Sequence, residues 1–422
     1  MKPYTEKLFL SRNNFITLFN NYFAFFLQVL FGFLIVALIS SYMNMSYLGV
    51  FTQTYTILVI SAQFSVTGLN DSILKKLSTL SKQENEVKLI ANVLLAALIN
   101  ATVICCVIYF FQEKLFSIFQ SDKVIASNTL IFVAIFFLTI NKVFFSVLQG
   151  KSLLNSFAFF NFLRPFLIFS FIFLSLIKDV NVNFSVVFSI AEIIIFILLS
   201  IKINIFKIIK FSLFDINYVK NHYSFGFRVF VNSFLSESFI RIDILMIAIL
   251  LNDKMVGIYS LAALFFEGIY QFSIVIRNVI NPEIGRLYKN KKYINLIKLI
   301  RYSTLLSFFV VLIVSLIVFI LIPYILFFLE IHLIDETLNL VKFLLIGLIF
   351  YSLIIPSENL LFQSNNPGAQ SVYMSSLVLL NIILNYVMIT RYGLIGAAIG
   401  TATVYTSSIL IYNLFVIYVT NL

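Results

Sequence analysis

The chain has 422 residues, of which 61% are hydrophobic and only 11% charged, with a mean hydropathy of +1.03. Soluble domains sit near about 45–50% apolar and about 25% charged, so one buried core is excluded and the chain belongs in a membrane. The net charge of +11 raises nucleic acid as a partner. The Lys and Arg residues, however, gather in the connections between apolar runs, which is the pattern of membrane orientation, and no nucleic-acid partner is expected.

The start, MKPYTEKLFLSR, is basic, but no small-residue cleavage site follows and the apolar run beyond it outlasts a signal peptide's core, so it reads as a retained first helix. A spanning helix needs about 20 mostly apolar residues. In chain order such segments fall near 14–40, 47–69, 88–111, 125–148, 153–177, 184–204, 224–251, 256–279, 297–322, 338–362, 369–390 and 395–419, twelve in all. The division between the ninth and tenth, around LIPYILFFLEIHLIDE, is the least marked.

The basic residues of the connections are unequal on the two sides. Lys2, Lys7, Arg12, Lys75, Lys76, Lys82, Lys151, Lys207, Lys210, Lys220, Arg286, Lys289, Lys291 and Lys292 share the side of the N-terminus, fourteen against the five of Lys114, Lys123, Lys178, Lys254 and Arg391. The positive-inside rule then puts both termini in the cytoplasm. Trp is absent, so Phe and the 21 Tyr supply any interfacial aromatic belt. Cys105 and Cys106 are adjacent in an apolar run and His222 and His332 lie far apart, so neither pair has the spacing of a disulfide framework or a metal site.

GVFTQTYTILVISAQFSVTGLN (49–70) and GIYSLAALFFEGIYQFSIVIRN (257–278) share Gly, Gln-Phe-Ser and the final Asn at a constant offset of 208. The register pairs the second segment with the eighth and implies two parallel six-helix halves, 1–205 and 206–422, joined by a basic linker. Transporters built from repeats place the substrate between the halves near the midplane.

The seventh segment holds SESFIRIDILMIAIL, with Glu237, Arg241 and Asp243 in an otherwise apolar run. Each such charge costs about 2.5–3.5 kcal/mol at a helix centre. At the same offset the first half has Val29, Phe33 and Ile35, and Glu267 falls on Val59, so the fold itself does not require these charges. Glu237 and Arg241 are four apart and suited to pair, either as a static lock or as part of transport. Arg228 and Asp243 are too far apart along one helix to meet.

Ser260, Glu267, Gln271 and Asn278 share one face of the eighth segment, as do Thr52, Gln63 and Asn70 of the second. Asn13, Thr17, Asn20, Ala24, Gln28 and Gly32 form a stripe on the first. Such stripes face protein or a wet cavity; for Ser, Thr and Gly, plain helix packing is the competing explanation. Further buried ionisable residues are Lys142, Arg164 (before Pro165), Glu192, Arg277, Lys342 and Glu358. Lys142, Arg228 and Arg277 are expected near the cytoplasmic mouth, receiving an anionic headgroup, with snorkelling to the interface the competing explanation for Lys142 and Arg277.

Three segments carry a resemblance: VGIYSLAALFFEGIYQFSIVIRNVINPEIGRLYKNKK (256–292), VLQGKSLLNSFAFFNF (147–162) and YGLIGAAIGTATVY (392–405). The first resembles the second-half signature of Wzx-type polysaccharide repeat-unit flippases, within the multidrug/oligosaccharidyl-lipid/polysaccharide exporter superfamily. The others are similar to that family's turn between helices four and five and to its last helix. The resemblance covers the chain in outline through Gly, Tyr, Ala and Pro positions, with no catalytic signature.

It implies an all-α membrane protein of twelve transmembrane helices in two pseudo-symmetric lobes, V-shaped as in the MATE transporters. It would sit in the bacterial inner membrane and move undecaprenyl-pyrophosphate-linked oligosaccharide to the periplasmic leaflet. Membrane lipids, H+ or Na+, and the polymerase and chain-length proteins of the same pathway are the implied partners, and no cofactor is implied. The candidate cavity residues are Gln28, Gln63, Lys142, Arg164, Arg228, Arg241, Gln271 and Arg277. Glu192, Glu237, Asp243 and Glu267 are the candidates for ion coupling or charge pairing.

There are departures. Related antiporters often use an acid in the first-half cavity helices, and here the first helix has none. Peptidoglycan-lipid flippases of the superfamily usually have fourteen spans, for which this chain lacks room. The alternatives are a multidrug or cation antiporter and a polytopic glycan polymerase or glycosyltransferase. The short outer connections, without catalytic acid or His clusters or a phosphate-cradling glycine loop, argue against an enzyme.

Overall fold

A computed structural model describes residues 12–78, 86–119, 121–205, 214–329, 331, 333–364 and 366–420. Lys2, Lys7, Lys82, Lys207, Lys210 and His332 lie outside the described residues, as do the side chains of Arg12, Asn13 and Thr17.

Among the described residues the chain is helical, with no strand. The helices are α1 (Arg12–Tyr42), α2 (Met45–Val66), α3 (Leu69–Ser78), α4 (Glu86–Phe116), the short α5 (Asp122–Ser127), α6 (Ile131–Gly150), α7 (Leu154–Ile177) and α8 (Phe184–Ile203). They continue with α9 (Ile216–Leu250), α10 (Asp253–Lys289), α11 (Tyr293–Phe328), α12 (Ile334–Tyr351), the one-turn α13 (Leu360–Gln363) and α14 (Pro367–Thr420). Among the described residues eight helices are able by length and composition to cross a membrane, or ten with two bent pairs counted as single spans. The charges of α9 set it apart from that group, and α14 is two helices meeting at Gly393, whose φ of 61° and ψ of −137° are not helical. Each of the twelve apolar segments therefore has its helix.

At the end of the second segment α3 follows α2 at a bend of 59°, and the tenth segment bends by 50° between α12 and α13, where Pro356 interrupts the helix. A broken helix survives at membrane depth where protein satisfies the freed backbone groups. Large side chains such as Phe110, Phe328 and Leu410 are exposed, as lipid contact requires.

The chain divides into two compact units, and they do not coincide with the sequence division after residue 205. The first takes residues up to Leu38, Ile57–Ser117 and Asp122–Phe230; the second takes Ile39–Thr56, Ile118–Ser121 and Val231–Leu422.

The first unit is built on a core of Val66, Ile73, Ile90, Val93, Phe144 and Ile195, against which Tyr218 and Tyr223 of α9 pack. Polar contacts fasten the start of α9 there. Lys88 Nζ donates to Asp215 Oδ2 at 2.8 Å, Ser72 Oγ and His222 Nδ1 are hydrogen-bonded at 2.8 Å, and Tyr223 OH donates to Asn100 Oδ1 at 2.7 Å. The hydrogen bond from Lys88 holds the Asp215 carboxyl below the usual carboxylate range.

In the second unit the start of α2 crosses the start of α10 at Gly49 and Gly257, where no Cβ separates the backbones. Asp253, at the head of α10, accepts from Gln53 Nε2 at 2.9 Å and from Ser121 Oγ at 2.6 Å. Deeper in the unit an aromatic layer joins Phe239, Phe266, Tyr270, Tyr351 and Tyr405, with the Tyr351 and Tyr405 rings stacked at 4.7 Å.

Candidate transport and ion-coupling site

The charged stretch of α9 lies in the second unit. Arg241 Nε donates to Glu237 Oε1 at 2.9 Å, one turn back, and the guanidinium sits 5.1 Å from the centre of the Tyr55 ring of α2. Its two Nη groups donate no hydrogen bond among the described residues. Glu267 of α10 is within electrostatic reach of both Arg241 and Glu237, and it accepts no hydrogen bond among the described residues. Arg241 and Glu237 are partly exposed, 17% and 31% by side chain.

Asp243, two residues on and on another face of α9, is 5% exposed and fully bonded. Tyr259 OH and Thr401 Oγ1 donate to Oδ2 at 2.9 and 2.8 Å, and Asn385 Nδ2 donates to Oδ1 at 3.0 Å. Asn381, one turn before Asn385, accepts from Asn385 Nδ2 through its Oδ1, while Asn385 Oδ1 and Asn381 Nδ2 are without partners among the described residues. A carboxylate with two hydroxyl groups and a side-chain amide around it suits a proton or a hard monovalent cation. No group of three His, Cys, Asp or Glu able to hold a metal ion occurs among the described residues. Beside Asp243 lies a cavity of about 20 Å³, lined among others by Tyr259, Phe266, Glu267, Thr401 and Tyr405, room for about one water.

In the first unit, Lys142 Nζ donates to Gln63 Oε1 at 2.5 Å, joining two candidates. Glu192 is an internal counterion: Arg164 donates through Nε and Nη2 at 2.6 and 3.3 Å, and Asn141 Nδ2 at 2.8 Å. Arg228 and Gln28 are exposed on α9 and α1. Arg277, in the second unit, is an ion-pair partner: its Nη1 donates to Glu358 Oε2 at 2.7 Å, and Tyr351 OH donates to the other oxygen at 2.7 Å. Gln271 is half-buried on α10. The hydroxyls of Thr52 and Ser260, equivalent in the repeat, each bond the carbonyl one turn back, Leu48 O and Val256 O.

Sequence reasoning missed Tyr55, Asn141, Tyr259, Asn381, Asn385 and Thr401. The NIILN spacing, two amides one turn apart in an apolar run, is a signal that was available for the Asp243 partners.

The MatE family model matches residues 229–387, the charged half of α9 through the first part of α14. No curated protein sequence matches the chain. Among solved structures, a lipid II flippase MurJ in an inward closed conformation matches with a TM-score of 0.78 at 18% identity, over 97% of this chain and 88% of that one. An inward-facing multidrug resistance MATE transporter of the MOP superfamily gives 0.71 at 15% identity, over 93% and 95%. The Vibrio cholerae MATE transporter VcmN gives 0.67 at 13%, over 96% and 97%. The chain has the fold of the MATE and MurJ transporters. That fold accounts for the weak long-range sequence signal: the likeness extends over nearly the whole chain, while identity stays below one residue in five. With the long apolar helices of this chain, it marks an integral membrane protein.

Proposed function

We propose that the protein is a flippase that moves an undecaprenyl-pyrophosphate-linked oligosaccharide from the cytoplasmic to the periplasmic leaflet of the bacterial inner membrane by alternating access, with both termini in the cytoplasm. The observation that carries this reading is Arg241. A guanidinium inside a span, bonded among the described residues at Nε alone and resting against Tyr55, keeps its planar fork for a bidentate acceptor such as a phosphate. The polyprenyl tail stays in lipid, so only the pyrophosphate and sugars need a polar path. Asp243 is the ion-coupling site in this reading, taking H+ or Na+, and the polymerase and chain-length proteins of the same pathway act downstream.

A second reading, antiport of cationic drugs, is favoured by the acids Glu237, Asp243 and Glu267 near one another in the second unit. Deletion of the gene separates the two. The flippase reading expects the lipid-linked unit to accumulate on the cytoplasmic leaflet and the surface glycan to be lost, with dye export unchanged. Intact surface polysaccharide with lost export of cationic dyes overturns it in favour of the antiporter.

A further inference from the structure

We infer that a polar cavity at the heads of α2 and α10, within the second unit, is a binding site for a glycosyl phosphate, with Lys254 as its cation. The inference rests on the flippase reading above and adds a place for the head of the delivered lipid-linked oligosaccharide. In the orientation proposed there, the cavity lies on the periplasmic side.

The repeat explains why the two heads meet. Both helices are capped by the same residue: Asn44 Oδ1 accepts from Ser46 N and Tyr47 N, and Asn252 Oδ1 accepts from Met255 N. Asn44 and Asn252 are 208 apart, and so are Ser46 and Lys254. Ser46 and Lys254 each stand three residues before a glycine of the Gly49–Gly257 crossing, on the same helix face as that glycine. The crossing therefore brings the two first turns together. A cavity of about 660 Å³ opens there, lined among others by Ser40, Ser41, Tyr42, Ser46, Lys254 and Leu333. That volume falls within the about 300–1,000 Å³ of small-molecule sites. Ser41 Oγ donates to Leu329 O at 2.9 Å and so ties the end of α1 to the α11–α12 connection. Asn44 is held at a φ of 117°, a costly conformation for a residue with a side chain, of the kind that turns at binding sites retain.

The lining decides the ligand. Serine hydroxyls both donate and accept, which is what the hydroxyls of a sugar require, and Tyr42, 76% exposed, offers an apolar ring face with a polar tip. Among the described residues lining the cavity Lys254 alone is charged, and its ammonium has no counterion among the described residues. Asp253 beside it does not neutralise it, because that carboxylate accepts from Gln53 and Ser121. Ser46 fills the equivalent place on α2, so the helix head itself does not need a lysine. One ammonium among hydroxyls fits one anionic group carried on a hydroxylated body. Lys254 takes the phosphate, and the serines take the sugar.

The test uses the full chain in phosphatidylcholine nanodiscs, with glucose 1-phosphate as the probe and ligand-observed NMR as the readout. The wild type is expected to bind glucose 1-phosphate about tenfold more tightly than glucose, inorganic phosphate or glycerol 1-phosphate, the last standing for a phospholipid headgroup. Lys254→Ser, which follows the repeat and so should fold, is expected to weaken glucose 1-phosphate about tenfold and to leave glucose unchanged. Lys254→Arg should retain most of the binding, and Lys178→Ser, at another outer connection, all of it. A wild type that binds no glucose 1-phosphate, or a Lys254→Ser variant that binds it like the wild type, overturns the inference. Glycerol 1-phosphate bound as tightly as glucose 1-phosphate makes the occupant a membrane phospholipid and overturns it as well. None of these outcomes touches the flippase reading, which the deletion strain decides; lost dye export with an intact glycan overturns that reading whatever Lys254 binds.

Discussion

Gly49 and Gly257, equivalent positions of the internal repeat, face each other reciprocally: a Cβ on Gly49 would lie 3.1 Å from Gly257 N, and one on Gly257 would lie 3.1 Å from Gly49 N. The first would also run into the carbonyl of Asp253 and the second into that of Met45, and Met45 and Asp253 are themselves repeat-equivalent. A reciprocal contact of this kind is what a local twofold relation between the heads of α2 and α10 produces. Close backbone approach through small residues is a general device of membrane helices.

Gly49→Ala and Gly257→Ala are each expected to destabilise the protein by about 1–3 kcal/mol through overpacking. Because both act on one contact, the double variant should cost less than the sum. Thermal unfolding in detergent, with all three variants side by side, measures this; strict additivity would show that the two sites do not share a contact.

Arg164 and Glu192 are expected to be structural. Glu192 is 3% exposed by side chain and is held by Asn141 as well as by Arg164. Removing one member of a buried pair leaves the other uncompensated, at about 3–5 kcal/mol. Arg164→Met or Glu192→Leu alone should sharply reduce the amount of folded protein recovered, and the two together should restore much of it. Membrane abundance and monodispersity after extraction are the readouts. Equal, mild losses for every variant would argue that the pair is open to water.

What the sequence made legible is what the bilayer and the repeat enforce. Long apolar runs have one outcome in hydrocarbon, so each of the twelve segments became a helix. One of the five identities that made the offset of 208 readable is explained by the Gly49–Gly257 crossing, which tolerates no side chain, and Glu237–Arg241 was readable because a helix brings residues four apart together. Breaks within spans were less visible: 338–362 reads as one segment, although α12 ends at Tyr351 and Pro356 lies in the turn that follows. The partners of buried charges were hidden. Glu192 lies 28 residues from Arg164 and Glu358 lies 81 from Arg277, and only helix packing decides such pairs. Arg277, expected either to receive a headgroup or to snorkel to the interface, is found with its own counterion, and Tyr55 under Arg241 had no sequence signal at all.

The α9 charges should behave differently from Arg164 and Glu192. Val29 and Phe33 occupy the equivalent places of Glu237 and Arg241, and Val59 that of Glu267. Arg241→Phe combined with Glu237→Val, and separately Glu267→Val, are expected to reach the membrane at wild-type abundance while transport falls at least about tenfold, the loss of roughly 1.4 kcal/mol of useful interaction. Restoration of the surface glycan in a deletion strain, normalised to protein in the membrane, checks this. Degraded or misinserted variants would make these charges structural as well.

His222 gives a prediction in pH. It lies in the first turns of α9, ahead of the apolar segment, is 1% exposed, and bonds Ser72 through Nδ1. Burial, with the nearby Lys76 adding to it, pushes the imidazole down from 6.5 to about 4. Above pH 6.5 the ring is neutral whether the chain is folded or unfolded, so it adds no pH dependence there. As pH falls from 6.5 toward about 4, the unfolded chain takes up a proton that the folded chain refuses, and stability is lost progressively. Below about 4 both states are protonated and the loss levels off. His222→Gln keeps a side chain able to bond Ser72 and has nothing to titrate. The wild type should therefore lose thermal stability in detergent between pH 6.5 and 4 more steeply than His222→Gln, with the two curves parallel above 6.5. Curves that stay parallel across the whole range would mean that the ring is solvated and that the start of α9 is not fastened through His222.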